Sequence, residues 1–461
     1  MNSFPESLLI ANRGEIARRI IRTAKRLGVR TVAVYHKVDS ALPYVSEADV
    51  AVQLEGELPV QAYLDAEQIV RVAKDTGATA IHPGYGFLAE NAGFARAVAE
   101  AGLTWVGPSA EVIEVMGDKV ESRRAVATAG VPISGDAGAA LKTGDEAVEE
   151  ATRVGYPVMV KASAGGGGIG MAVARDDEEL RKAFENTRSM SERSFGSDRV
   201  FVERFVESAR HVEIQVLGLN DGTIVALGER DCSTQRRHQK LIEESPAPHL
   251  DPDVRARLIE SAIAAAGSVG YRNAGTVEFL LDTRTGDFVF LEMNTRIQVE
   301  HPITELTHGV DLIEQQLSIA ASGTTTADFN PVARGHAIEL RICAEDPKRF
   351  FPRPGPINVW VEPTGEGIRV DSGYVGGTEV TPHFDSLVAK VCAYGETRED
   401  ALARAIKACE DFEIEGLVTN QPFLEEILSD DEFTAGRYDT GLVERIQQRL
   451  KEQAKLAKRS A

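Results

Sequence analysis

Between Glu278 and His301 the chain reads EFLLDTRTGDFVFLEMNTRIQVEH, and no other segment limits the fold as strongly. Two apolar runs flank the turn Thr283-Arg284-Thr285-Gly286-Asp287, the pattern of an antiparallel hairpin. Pairing symmetric about Thr285 sets Leu281 against Val289 and Glu278 against Glu292. Directly opposed side chains lie roughly 4.5–5.5 Å apart at Cβ, and like charges there destabilise a sheet unless a positive charge sits between them. A divalent cation fits that position. Alternation places Phe290, Glu292 and Asn294 on one face and Val289, Leu291 and Met293 on the other, so Asn294 can join Glu292 as an oxygen ligand. If the extended run continues, Arg296, Gln298 and Glu300 follow on the same face while Ile297 and Val299 point to the core. The competing reading is a solvated polar face with incidental charge.

A chain of 461 residues with 43% hydrophobic residues has room for two or three domains and a sizeable core. Its 51 Lys and Arg against 71 Asp and Glu leave a net charge of -20, which argues against a nucleic-acid or anionic-membrane partner. Cys232, Cys343, Cys392 and Cys409 have no CxxC spacing, so a reducing cytoplasm is expected. The opening MNSFPESLLIANRGE lacks a basic stretch followed by a long apolar run, and no segment approaches a membrane span.

Leu8-Leu9-Ile10 predicts a buried strand; Ile16, Ile20, Ala24 and Leu27 repeat at helical spacing until Gly28, and Thr31 to Tyr35 predicts the next strand. Helix and strand alternate again through Glu67 to Thr76, Ala80 to His82, Phe94 to Ala101 and Thr104 to Val106. The first ~115 residues therefore read as a parallel α/β unit, but without GxGxxG, so no dinucleotide site is assigned. A new region opens at Gly117-Asp118-Lys119.

Pro157 to Lys161 is a strand tipped by a lysine, followed by Ala162-Ser163-Ala164 and four glycines, Gly165 to Gly168. Such a run lets backbone N–H groups approach phosphate oxygens, as in a mobile lid over a triphosphate; a flexible linker is the alternative. There is no GxxxxGK[ST] spacing, so phosphate binding must use another architecture. Val212, Ile214 and Val216 alternate with His211, Glu213 and Gln215 in a hairpin that leads into Glu229 to Lys240. That basic cluster, in an acidic chain, reads as an anion-binding surface or as structural salt bridges to Glu243 and Glu244. Helices are expected near 255–268 and 311–322. Residues 335–445 form a separate mixed region with a strand at Ala337 to Cys343 and a helix at Arg398 to Phe412, and the tail after about Thr440 is helical and basic.

A lysine-tipped strand, a Gly-rich lid and a Glu/Glu-x-Asn hairpin together resemble the ATP-grasp enzymes. The motifs SLLIANRGEIARRI, HPGYGFLAENAGFA, MGDK, KASAGGGGIGM, RHVEIQV, GERDCSTQRRHQK, FLEMNTRIQVEHPITE and ELRICAEDP, in this order, narrow the resemblance to biotin carboxylase across nearly the whole chain. It implies an α/β and α+β protein: a Rossmann-like N-terminal domain (1–117), a central ATP-grasp domain (118–330, lid about 133–204), a mixed α+β C-terminal domain (331–446) and a basic tail (447–461). It also implies a ligase that uses ATP, Mg²⁺ or Mn²⁺ and bicarbonate to carboxylate biotin through carboxyphosphate.

By the same resemblance Lys119 and Lys161 contact ATP phosphates, with Gly167 and Gly168 closing over them. Glu203, Arg204, Phe205 and Val206 match the hinge that carries the adenine, and His211, Gln235 and His238 line the ribose and phosphate side. Glu278, Glu292 and Asn294 match the metal ligands. Lys240, Arg296, Gln298 and the Val299 backbone match the bicarbonate site, with Glu300 as base, Arg341 on the biotin ureido oxygen, and Tyr85 with Gly86 near biotin. A lone histidine such as His301 or His336 reads better as a hydrogen-bonded structural residue.

Two departures stand out. Ile169 replaces a basic residue often found after the glycines, and no Met-Lys-Met attachment motif or carboxyltransferase region follows, so biotin is expected on a separate carrier protein that works with a carboxyltransferase partner. The resemblance also implies a homodimer. The acceptor, whether acetyl-CoA, propionyl-CoA, another acyl-CoA or pyruvate, belongs to that partner. A regulatory subunit without turnover would lack Glu300, Arg341 or a metal ligand; another ATP-grasp carboxylate–amine ligase would lack ERDCS, QRRHQK and RIQVEHP.

Overall fold

The structure, a computed structural model, describes residues 4–135, 141–162, 171–326 and 332–460. The first region is a five-stranded parallel sheet in the order Val50–Gln53, Arg30–Tyr35, Ser7–Ile10, Ala80–His82, Thr104–Trp105. Parallel neighbours need crossovers, and the helices Gly14–Arg26, Ala66–Asp75 and Ala92–Glu100 supply them. Leu8, Leu9 and Ile10 are all buried, as expected for a strand covered on both faces. Gly28 has φ +75 just past the first helix, a conformation that favours glycine.

An eight-stranded sheet follows in the order Phe288–Asn294, Asn273–Asp282, Ala209–Gly218, Ile224–Arg236, Gln239–Ser245, His336–Cys343, Leu387–Gly395, Ile368–Ser372. All its pairings are antiparallel. It runs without a break across residue 330, because Gln239–Ser245 pairs with His336–Cys343, setting Ile242 opposite Leu340 and Glu243 opposite Glu339. The polar alternates of Ala209–Gly218 are as buried as the apolar ones: His211 is 7% exposed and Glu213 and Gln215 0%. They face a charged cleft and not bulk water.

The opposite wall is a three-stranded sheet, Met171–Ala174, Val158–Ala162 and Val200–Arg204, backed by the helices Gly144–Val154 and Asp177–Phe195 through Ala147, Ala151, Leu180 and Phe184. Gly167, Gly168 and Ile169 lie outside the described residues. At the C-terminus the helix Leu442–Ser460 buries Leu442, Val443 and Ile446, whereas Lys451 to Ala457 are exposed. Among the described residues no helix is long and apolar enough to cross a membrane.

The hairpin keeps Glu278 opposite Glu292 but not Leu281 opposite Val289: Leu281 pairs with Phe288 and Leu280 with Val289. A bulge at Leu291 absorbs one residue between the pairs Glu278/Glu292 and Phe279/Phe290. Phe290 therefore turns into the core with Phe279 and Met293, away from Glu292. Its N–H donates to the Pro132 carbonyl at 2.7 Å, a contact the bulge accommodates. The strand also stops at Asn294. Residues 295–300 form an irregular loop that enters the helix His301–His308, so Arg296, Gln298 and Glu300 reach the cleft from a loop and not from a continued strand.

Candidate active site

The centre of the cleft is one ammonium among three carboxylates. Lys240 Nζ lies 2.6 Å from Glu213 Oε2, 2.6 Å from Glu300 Oε1 and 3.2 Å from Glu278 Oε1. Lys240 is carried there by a two-residue turn, Arg237-His238, with φ of 49 and 67, which brings Lys240 back opposite Gln235. Two non-glycine residues in the left-handed region cost about 1–3 kcal/mol each, a strain typical of functional segments. Glu213 is oriented from behind by Arg230, whose guanidinium is fully buried and also reaches Gln215, Thr276 and Thr304.

Glu300 is 0% exposed and accepts from Lys240 and, at 2.9 Å, from Arg341. Burial alone would raise its pKa, but Lys240, Arg341 and Arg230 hold it well below the usual carboxylate range. It is a buried carboxylate kept ionised. Arg341 is shared with Glu243, whose Oε1 accepts from Nε at 2.6 Å, and burial pushes Glu243 up to about 7. The basic cluster 229–240 does not pair with Glu243 and Glu244 as salt bridges. Those glutamates are taken by Arg341 and by His336 with Arg398, from strands and helices distant in sequence.

Arg296 donates to Asn294 Oδ1 and Gln298 Oε1, both at 3.0 Å, and its Nε to Glu90 at 2.9 Å. Gln298 and Asn294 donate in turn to Glu278 Oε1 at 3.0 and 2.8 Å, and His211 Nε2 lies 2.8 Å from Glu278 Oε2. Gln235 reaches His211 Nδ1 at 3.4 Å. Burial raises the Glu278 carboxyl, yet Lys240 and His211 more than offset it and hold it far below its ordinary value. Burial and then Glu278 act on Glu292 in the opposite direction and raise its pKa, although its carboxylate stays open to solvent within the cleft.

Across the cleft Lys161 Nζ lies 2.5 Å from Glu203, which also takes a bond from Arg123. Burial lowers the Lys119 pKa, with Glu292 working against it and Lys161 adding to it, so the two lysines and Glu292 share one region of charge. Arg204, Phe205 and Val206 close the strand Val200–Arg204, where the Phe205 N–H donates to the Pro157 carbonyl at 2.8 Å. His238 is exposed at its turn, and partial desolvation, then Lys161 and His211, lower its pKa. On the N-terminal side the Tyr85 hydroxyl donates to Glu15, and Asn12 holds the Tyr85 carbonyl at 2.7 Å. Burial and then Glu15 push the Tyr85 hydroxyl well up in pKa, with Arg341 working against them. Gly86 is exposed beside it with φ +68. Val299 contributes its carbonyl to Lys390 at 2.8 Å.

Residues that sequence reasoning left out are Glu213, Arg230, Glu243, Glu90, Glu15 and Lys390. Glu213 had a signal, since it alternates with His211 on one face. Lys390 had another, a lysine inside the otherwise apolar strand LVAKVCAYG. The groups His211, Glu213, Glu278 and Glu213, Cys232, Glu300 bring ligand atoms within 4.8 Å of one another, but the Lys240 ammonium already fills that space. The Glu278/Glu292 pair, open on its Glu292 side and built of oxygen donors, suits a hard divalent cation better.

A lysine-tipped strand in a small antiparallel sheet facing an opposed glutamate pair across a cleft defines an ATP-grasp ligase. Residues 5–113 match the biotin carboxylase N-terminal domain, 118–327 the ATP-binding domain of the carbamoyl-phosphate synthase L chain, and 339–445 the biotin carboxylase C-terminal domain. The biotin carboxylase of Halalkalibacterium halodurans is 49% identical over 440 residues, 95% of this chain and 97% of that one. Among solved structures, the biotin carboxylase domain dimer of Hydrogenobacter thermophilus 2-oxoglutarate carboxylase, in complex with MgADP, ADP and bicarbonate, superposes with a TM-score of 0.91 at 44% identity, covering 96% of this chain and 98% of that one. The Campylobacter jejuni biotin carboxylase in a β-γ-ATP complex gives 0.92 at 40% identity, covering 96% and 99%. The chain belongs to the biotin carboxylase family, ATP-dependent ligases that carboxylate biotin with bicarbonate.

Proposed function

We propose that this chain carboxylates biotin presented by a separate carrier protein, by way of carboxyphosphate, with the roles that follow. The observation that carries the reading is Glu300, fully buried yet held ionised between Lys240 and Arg341. Lys240, Arg296, Gln298 and the Val299 backbone hold bicarbonate, and Glu300 takes its proton. The bicarbonate oxygen then attacks the γ-phosphorus of ATP and ADP leaves. Carboxyphosphate breaks to CO₂ and phosphate, the released phosphate takes the proton of the biotin ureido N–H, and the nitrogen so freed bonds to the CO₂. Arg341 stabilises negative charge on the ureido oxygen, with Tyr85 and Gly86 beside the ring.

Lys119, Lys161 and the glycines Gly167 and Gly168 neutralise the phosphates, Glu203 to Val206 carry the adenine, and His211, Gln235 and His238 line the ribose side. Glu278, Glu292 and Asn294 would hold Mg²⁺ or Mn²⁺, which would supply charge neutralisation at the phosphates. Lys240 and His211 occupy Glu278 in the present arrangement, so Glu292 offers the more available carboxylate. Four buried free cysteines support a reducing cytoplasm. The dimeric neighbour from Hydrogenobacter thermophilus supports a homodimer. That organism's 2-oxoglutarate carboxylase small subunit is 45% identical over 441 residues, 95% of this chain and 93% of its own, which supports work beside a carboxyltransferase partner.

Purified protein with Mg²⁺ is expected to hydrolyse ATP in a bicarbonate-dependent manner that free biotin stimulates. After co-expression with a biotin ligase the chain itself is expected to stay unlabelled on a streptavidin blot while carboxylating an added biotinylated carrier. ATPase indifferent to bicarbonate and biotin, or label on this chain, would overturn the reading.

A further inference from the structure

The loop 295–300 carries Arg296, Gln298 and Glu300 yet has no regular secondary structure, so its backbone must be held by other groups. Two buried side chains do so from the core. His301 Nδ1 lies 2.7 Å from the Gln298 carbonyl oxygen, and Lys390 Nζ lies 2.8 Å from the Val299 carbonyl oxygen. Both side chains are 0% exposed. The peptide units of the loop are trans, so each N–H points opposite its own carbonyl. Pinning the Gln298 carbonyl inward thus turns the Val299 N–H outward, and pinning the Val299 carbonyl sets the approach of the chain to the Glu300 Cα. Among the described residues no acceptor takes the Val299 N–H. An orphan donor at the edge of a charged cleft is available for an anion.

We propose that His301 and Lys390 are positioning residues that aim the Val299 N–H and Glu300 at the bicarbonate, an inference that rests on the bicarbonate reading above. The acceptor opposite His301 is a carbonyl, so Nδ1 carries the proton and Nε2 is bare, with no hydrogen-bond partner among the described residues. Burial first, and then Lys390, Arg19 and Arg369, keep the ring neutral, so it serves as a fixed donor and not as a proton carrier. Lys390 has a second duty. Its ammonium also lies 3.2 Å from Glu15 Oε2, and Glu15 accepts from the Tyr85 hydroxyl, so one buried cation ties the base loop to the Tyr85 side of the cleft.

The geometry of the imidazole makes the test specific, because an asparagine amide nitrogen falls near Nδ1 and a glutamine amide nitrogen near Nε2. His301→Gln is expected to raise KM for bicarbonate by about tenfold or more while KM for ATP stays within about twofold. His301→Asn is expected to return bicarbonate KM to within about twofold of the native value. Lys390→Met is expected to raise bicarbonate KM and lower kcat together; should it fail to fold, the His301 pair still decides. Equal bicarbonate KM in the Asn and Gln variants, or parallel loss of ATP and bicarbonate affinity in His301→Gln, would overturn the proposal. Arg296→Lys serves as the control: if it leaves bicarbonate KM unchanged, the bicarbonate assignment itself fails, independently of His301.

Discussion

Glu278 and Glu292 stand opposite each other in register across two hairpin strands, yet their surroundings are reversed. Glu278 accepts from Lys240, Asn294, Gln298 and His211, while Glu292 is open to solvent, with the like charge of Glu278 opposite it and Lys119 nearby. One carboxylate is tied into the protein and the other is open, as the proposed metal site requires. That asymmetry changes what their removal should do.

Glu292→Gln relieves repulsion, so the metal-free protein should be at least as stable as the native one while needing more Mg²⁺ for ATP turnover. Glu278→Gln leaves buried donors without their charged acceptor and should destabilise by about 1–3 kcal/mol. Urea denaturation without nucleotide, beside Mg²⁺ titrations of ATPase, separates the two. Identical behaviour of the variants would contradict the asymmetry.

Glu300→Gln is near-isosteric and removes the carboxylate proposed as base. We expect kcat to fall by roughly 10²–10⁴ with nucleotide affinity little changed. Steady-state rates with nucleotide binding measured separately check it, and a native kcat would mean that another group deprotonates bicarbonate.

Lys240→Met leaves Glu213, Glu278 and Glu300 buried around a lost ammonium. The expected cost near pH 7 is about 3–5 kcal/mol, the range for breaking a buried ion pair from one side. Without Lys240, Glu278 and Glu300 lose the charge that most holds them ionised, so their folded pKa values rise. The deficit should then shrink as pH falls from neutrality toward 5 and grow as pH rises. A deficit independent of pH in equilibrium denaturation would refute the shared-ammonium arrangement.

Glu244 supplies an acid-stability prediction. Burial raises its pKa, but hydrogen bonds from His336 and Arg398 outweigh it and bring it down to about 2 from the usual value of 4.5. A depressed carboxyl stabilises the fold above its unfolded pKa, and the contribution, about 3 kcal/mol, is lost as pH falls from about 4.5 toward 2. Glu244→Gln should flatten the thermal-stability profile across that window. An unchanged slope would mean that other carboxylates carry the acid transition.

Much of the site was legible because the relevant patterns are local. The hairpin pattern predicted the Glu278/Glu292 pair, although the strands turn one residue off the Thr285 symmetry and the bulge at Leu291 restores that pair; period-2 alternation put His211 and Glu213 on one face. The bulge at Leu291 was not legible. It depends on Phe290 meeting Pro132 and Ile133, a contact between segments far apart in the chain.

The order of motifs by itself determined the family and the strand positions of most charged residues, because short-range periodicity and turn chemistry act within a few residues. Only the tertiary structure decided which carboxylates Lys240 joins, why Glu300 stays ionised when fully buried, and that Lys390, a lone cation in an apolar strand, reaches the Val299 carbonyl. Those outcomes depend on burial and on charges contributed by separate strands and loops. Both act through space at a few ångströms, and separation along the chain does not reveal them.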